Sequence, residues 1–178
     1  MKRGIALTGK THAAAGLAVA LALGANIPQL ALATAGAVLP DIDHSGSTLG
    51  KHVKLLSGHL KHRGLTHSLI FLIVTSLLSP YLGLGVLTHI FLDMLNPQGV
   101  KLFYPNKTKF RLPLFHSFAK TGGTFEQILF GMLVIAIIFI LIFYQNIWGY
   151  MNLIEFTTLW YNIELPEWLN FIIKAVTI

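Results

Sequence analysis

Apolar positions along this chain fall into three uncharged stretches, residues 13–39, 68–88 and 127–154, with polar and basic residues gathered between them. The third stretch contains residues 128–143, apolar throughout except for Gly131. With its flanks it reaches the ~20 residues that cross a hydrocarbon core of ~30 Å, and it predicts a transmembrane helix. The first two stretches are interrupted near their middles, by Ala25-Asn26-Ile27-Pro28 and by Ser79-Pro80. Pro and Asn breaks of this kind end helices. Each half is then about 12–15 residues, or ~18–22 Å at 1.5 Å per residue, short for a full crossing. Both stretches predict helical hairpins that either dip into the bilayer or span it with help from their polar flanks. The expected fold is all-α: a polytopic membrane protein with two short helical hairpins and a C-terminal transmembrane helix. The membrane-embedded domain would cover residues 1–145 and an interfacial aromatic tail residues 146–178.

Charge supports that layout. The chain is 54% hydrophobic and 11% charged, against roughly 25% charged in soluble domains. The net charge of +6 does not imply a nucleic-acid partner, because its placement follows a membrane rule. Of the 13 Lys and Arg residues, all but Lys174 lie before, between or after the two hairpins. The two-hairpin layout puts those segments on one side, and the positive-inside rule names that side the cytoplasm. Trp148, Tyr150, Trp160, Tyr161 and Trp168 then suit an aromatic belt on the other side. A secretory signal peptide competes for the N-terminus, with Lys2-Arg3, the apolar run 13–23 and Ala31-Leu32-Ala33 as its parts. Cleavage there would discard His12, and the apolar stretch continues past the box to Leu39. The chain has no Cys, so disulfides and thiolate ligands are excluded.

Against this oily background, chemistry is concentrated. The only aspartates are Asp41, Asp43 and Asp93, each within four residues of a histidine. They lie in Leu39-Pro40-Asp41-Ile42-Asp43-His44 and in His89-Ile90-Phe91-Leu92-Asp93. Thr11-His12 precedes them, and His62-Arg63-Gly64-Leu65-Thr66-His67-Ser68 lies between. Imidazole with carboxylate is the donor set of zinc, manganese and iron sites. Hairpin topology places all four motifs at helix ends on one level, the cytoplasmic mouth of the bundle. His89 and Asp93 are four apart and share a helix face. Asp41 and Asp43 follow Pro40 at a break where both are expected to turn inward, and Gly64 is expected to make a sharp turn between His62 and His67. The donors His12, Asp41, Asp43, His44, His62, His67, His89 and Asp93 exceed what one ion needs, so one or two divalent ions are expected, zinc or manganese foremost. Such ions bring the pKa of a bound water to ~7 and clamp both oxygens of a displacement. Arg63, planar and always charged, suits a phosphate or carboxylate. Glu126, at the start of the last span, is expected to be a general base or a further ligand, because a carboxylate there is costly unless used.

Structural readings stand beside these. Asp favours turns, which alone would account for Asp41 and Asp43. An interhelical hydrogen-bonded pair would account for His89 and Asp93. His52, His59 and His116 lie in basic loops without carboxylate neighbours and are expected to play no part. Asn96-Pro97-Gln98-Gly99 reads as a turn, with Asn96 near enough to assist. Residues 101–111 read as a solvated basic loop that touches anionic headgroups.

The ordered motifs, with Leu95, Gly99, Phe110-Arg111-Leu112-Pro113 and the segment from Gly122 to Glu126, resemble the LexA-regulated, inner-membrane, metal-dependent hydrolase family of YdjM type. The resemblance covers about residues 8–130, and His-Arg-Gly-x-Thr-His-Ser is its most specific part. It implies a multi-pass bacterial inner-membrane protein assigned as a hydrolase, with family His and Asp positions falling on His12, Asp41, Asp43, His44, His62, His67, His89 and Asp93. The leading expectation is an integral membrane hydrolase that acts on a phosphoester or lipid-like substrate at the cytoplasmic face. The alternative is a non-enzymatic metal-binding or metal-transporting membrane protein. A transporter would place its ligands near the midplane, whereas these cluster at helix ends beside basic loops. A third reading, polar motifs that only lock hairpins together, expects no metal.

Overall fold

The computed structural model describes residues 7–47, 50, 51, 53, 63–112 and 123–161, with the main chain alone over 145–161. The chain forms two compact units, Met1–Ile140 and Leu141–Ile178. In the first lie α1 (Gly9–Ala22), α2 (Ile27–Val38), α3 (Leu69–Leu78), α4 (Pro80–Met94) and the beginning of α5 (Thr124–Tyr161). Short 3-10 turns, Leu39–Asp43 and Leu65–His67, sit where α2 ends and before α3 begins. The described residues contain no strand, and one antiparallel bridge joins Val100 to Phe110.

Local chemistry sets these boundaries. Gly24 takes φ 73, and its N–H donates to Leu21 O while that of Ala25 donates to Ala20 O. This is the Schellman closure of a helix, which needs a left-handed residue. Asn26 and Gln29 then open α2 with a reciprocal capping box, and Pro28 occupies its first turn. Ser68 caps α3 through Phe71 N. Ser79 alone separates α3 from α4, caps Leu82 N, and is followed by Pro80. The breaks therefore fall where the sequence places them.

Small residues let the helices approach closely. α2 packs on α1 and α4, and α4 also packs on α3 and α1. A Cβ added to Gly36 would lie 2.1 Å from Leu82 O, and one on Gly85 would lie 2.0 Å from Ala33 O. The buried residues include Ala15, Ala18, Ala20, Ala33 and Ala37, two small apolar clusters around Leu92 with Leu95 and around Val86 with Ile90, and many polar side chains, whereas Leu23, Ile27, Ile73, Leu77 and Leu78 are exposed. Small-residue packing with large apolar groups outside is how helices associate in lipid.

Of the described helices, α5 is the one long and apolar enough to cross a membrane, over Thr124–Tyr144. It begins before the expected 127 and runs on to Tyr161. The side chains of Trp148, Tyr150, Trp160 and Tyr161, and all of Trp168, lie outside the described residues.

Candidate metal centre

The N-terminal end of α1, the C-terminal ends of α2 and α4 and the start of α3 meet at one level. His12, Asp41 and His89 form one group of potential ligand atoms, and His67, His89 and Asp93 another, with the atoms of each group within 4.8 Å of one another. His12, His67, His89 and Asp93 are almost wholly buried. His89 belongs to both groups, and its ring offers one inward nitrogen. The two groups are therefore one shared volume rather than two separate sites.

The close packing of α2 on α4 sets that nitrogen. His89 Nδ1 lies 2.7 Å from Ala37 O. A carbonyl only accepts, so Nδ1 carries the proton and Nε2 is left as the inward donor atom. Nε2 stands 3.1 Å from His67 Nε2 and 3.8 Å from Asp41 Oδ1. The ring of His12 stacks on that of His89 at 3.9 Å.

His67 is held from the opposite side. Its Nδ1 is 3.4 Å from Asp43 Oδ2 and 3.0 Å from Thr66 Oγ1, and its Nε2 is 3.4 Å from Asp93 Oδ2. Asp43 Oδ2 also accepts from Thr66 Oγ1 at 2.6 Å and from Arg63 N at 3.0 Å. Burial disfavours the imidazolium of His67, but the Asp43 and Asp93 carboxylates outweigh it and raise the pKa to about 9. Without a metal, His67 is protonated at neutral pH, and its Nε2–H donates toward His89.

Asp93 joins the two halves. Oδ1 is 3.7 Å from His12 Nε2 and accepts from Asn96 Nδ2 at 2.9 Å. Oδ2 faces His67 and, at 3.1 Å, Arg63 Nη2. Arg63 is 5% exposed, donates from Nη1 to Gln98 Oε1 at 3.2 Å, and leaves Nε and Nη2 without a hydrogen bond. It is also the described non-glycine residue with positive φ, 58°. The chain turns at Arg63 and Gly64, as expected, but the left-handed residue is Arg63. Strain of this kind typically costs ~1–3 kcal/mol. It lets one residue reach Asp43 with its backbone and Asp93 with its side chain.

Several expected ligands stand elsewhere. Asp43 holds His67 instead of joining a ligand group. The reason is the 3-10 turn: at three residues per turn, Asp41 and Asp43 point ~120° apart, so both cannot turn to one point. His44 is exposed and outside both groups. His62, with His52, His59 and His116, lies outside the described residues. Glu126 is buried but turned to α1. Its Oε1 accepts from Thr8 N at 2.7 Å, from Thr11 Oγ1 at 2.9 Å and from Thr8 Oγ1. Thr8 caps α1 without a side-chain hydrogen bond to the N–H groups of the helix, so Glu126 serves as a cap supplied by another helix. Its charge lies at the positive ends of α1 and α5 together, where an anion is favoured. Three donors thus meet on one oxygen of Glu126. Residue spacing gave no sign of Thr8, Gln98 or the Ala37 carbonyl as partners. The small residues Gly36 and Gly85 were the available signal for the last.

The carboxylates outnumber the cations even with His67 protonated. Asp41, Asp43 and Asp93 face one cluster, in which Arg63 is the permanent cation among the described residues. Two imidazole nitrogens on one ion at ~2.0–2.1 Å stand ~2.9 Å apart in octahedral and ~3.3 Å apart in tetrahedral geometry. The 3.1 Å between His67 and His89 falls between these values. The donor set, its charge and its spacing fit a divalent ion.

The comparisons with known proteins agree on family. No solved structure matches. YvsG of Bacillus subtilis (strain 168), which is named only as uncharacterised, is 33% identical over 73% of this chain and 91% of its own length. The inner membrane protein YdjM of Escherichia coli (strain K12) is 40% identical over 43% of this chain and 49% of its own length. The same values hold for YdjM of Shigella flexneri. The profile of the YdjM inner membrane protein family matches residues 7–151, and the chain belongs to that family.

Proposed function

We propose that this protein is a metal-dependent hydrolase of the bacterial inner membrane, with its site at the cytoplasmic face and a phosphoester or lipid-like amphiphile as substrate. The observation that carries the reading is the meeting of His12, Asp41, His67, His89 and Asp93 around Nε2 of His89, with both inner histidines oriented by a second partner. Those five residues would hold the metal. When bound, such an ion acts as a Lewis acid and lowers the pKa of a coordinated water. Asp43 and Ala37 O fix the ring tautomers, a role whose loss typically costs 10–100-fold in metal affinity. Arg63 supplies a buried guanidinium whose Nη2 pairs with Asp93 and whose Nε has no hydrogen bond, a group suited to an anionic oxygen of the substrate. The basic segment 101–111 carries Lys101, Lys107, Lys109 and Arg111 and favours an anionic headgroup nearby.

The test begins with elemental analysis of detergent-purified protein, which should show one or two zinc or manganese ions per chain. His67→Ala and Asp93→Ala should lose metal, whereas His44→Ala should keep it. Full occupancy in the His67→Ala/Asp93→Ala double variant would exclude this centre. A screen of phosphoesters and lipid headgroups follows, in which Arg63→Lys should keep the metal and raise KM. Metal retained without turnover of any substrate would favour the metal-binding or transporting alternative.

A further inference from the structure

The two hairpins are shorter than the bilayer they would have to cross. α1 and α2 have 14 and 12 residues, and α3 and α4 have 10 and 15. At 1.5 Å per residue these arms are ~15–22 Å long, against a hydrocarbon core of ~30 Å. The span of α5, at 21 residues, is ~31 Å. It starts at the level of the polar site, because Glu126 holds Thr8 and Thr11.

The far ends of the hairpins are suited to lipid. Residues 13–40 and 64–92 contain no Asp, Glu, Lys or Arg. Within the two hairpins the most exposed large apolar residues lie at the tips, with Ile27 and Leu77 at 82%, Leu78 at 74% and Leu23 at 63%. Much of the hydrogen bonding of the turns is internal. Leu23, Gly24, Ala25 and Ser79 donate their N–H groups to carbonyls of the preceding helices, Asn26 N donates to Gln29 Oε1, and Pro28 and Pro80 have no N–H. Thr75 and Ser76, near the second tip, return their hydroxyls to helix carbonyls. Irregular backbone survives at membrane depth only where its polar groups are satisfied within the protein.

We infer that both hairpins are re-entrant: they enter the bilayer from the side of the polar site and turn back within the acyl chains, which cover Leu23, Ile27, Leu77 and Leu78. The inference rests on the membrane reading of the fold and not on the metal. It also narrows the substrate. The His and Asp cluster stands at the headgroup level of one leaflet, and an amphiphile reaches it from that leaflet without crossing.

The native chain lacks Cys, so single nitroxide labels can be placed at Ile70→Cys, Ile73→Cys, Leu77→Cys, Ile27→Cys and Thr108→Cys. The full chain is reconstituted in phosphatidylcholine–phosphatidylglycerol vesicles, and collisions with oxygen and with a water-soluble nickel chelate are compared. Labels at 27 and 77 should favour oxygen several-fold over nickel, whichever side the chelate occupies, and the label at 108 should show the reverse. Depth should increase in the order 70, 73, 77. Nickel access to 27 or 77 from the side opposite 108 would mean that the hairpins cross, and would overturn the inference. Access from the same side as 108 would overturn it by placing the tips in water. Equal depth at 70, 73 and 77 would mean helices lying flat in the interface. All labelled positions but Thr108 are exposed apolar residues whose replacement leaves the interior intact, and detergent-phase metal content checks each variant without bearing on depth.

Discussion

Gly85→Ala tests whether helix spacing sets the chemistry of His89. The added Cβ would lie 2.0 Å from Ala33 O and 2.5 Å from Ala37 N, whereas ordinary contact begins at 3.4 Å. Both obstacles are α2 backbone, so no side-chain rotation relieves them, and α2 and α4 must separate by about 1.4 Å to reach that contact distance. Ala37 O is one turn farther on, 2.7 Å from His89 Nδ1. The same separation takes that pair to ~4 Å, beyond hydrogen-bond range. Gly→Ala in a helix ordinarily gains ~1 kcal/mol. Overpacking costs ~1–3 kcal/mol and the lost buried hydrogen bond about 1 more, so the net sign is destabilising by about 1–3 kcal/mol. At ~2–4 °C per kcal/mol for a chain of this size, Tm should fall by roughly 2–12 °C. Release of the His89 ring should weaken metal binding 10–100-fold. The control is Gly131→Ala, where an added Cβ meets nothing within 4 Å. Thermal melts in detergent and chelator competition for zinc give the two readouts. Equal Tm and equal affinity in the two variants would refute the packing argument. A lower Tm with unchanged affinity would refute the link from helix spacing to the His89 tautomer.

Two further outcomes follow from the same geometry. The pKa of His67 is raised to about 9 from 6.5, so in the metal-free protein its contribution to stability is complete below pH 6.5 and is lost as pH rises through about 9. A metal must displace that proton, so zinc affinity measured by chelator competition should increase toward ~10-fold per pH unit between pH 6.5 and 8.5, and a flat profile would contradict the assigned proton. Glu126→Gln keeps an acceptor for Thr8 and Thr11 but removes the charge from two helix N-termini; melts should show a loss of about 1–2 kcal/mol with metal content unchanged, and loss of the metal would return Glu126 to the ligand set.

Most of what organises this molecule is punctuation that a sequence displays openly. Asn26 with Gln29, Ser68, Ser79 and the two prolines behind the breaks mark helix starts by local chemistry, and the helices obey them. His89 and Asp93 converge because a helix places residues four apart on one face. The roles of Asp43, Arg63 and Glu126 were less legible, each for a definite reason. A break after Pro40 predicts a bend but not its pitch, and the 3-10 pitch divides Asp41 from Asp43. A glycine is the ordinary occupant of a left-handed position, yet here Arg63 takes it before Gly64. Glu126 is more than a hundred residues from Thr8, and no local pattern shows that α1 lacks a cap which α5 provides.

The interior, rich in Ala, Gly and polar side chains with only small Leu, Val and Ile clusters, has a thermodynamic consequence. Less large apolar surface is withdrawn from the surroundings when α1–α4 come together than in a soluble bundle, because Ile27, Leu77 and Leu78 remain outside in the folded state while Val86, Ile90 and Leu92 go inside. The heat-capacity increment of unfolding and the denaturant m-value both scale with newly exposed area. Unfolding in detergent should therefore show a flat, nearly linear stability curve and a broad response to urea. Cold should weaken the assembly less than it does a soluble domain, since burial of apolar groups contributes a smaller share of its association.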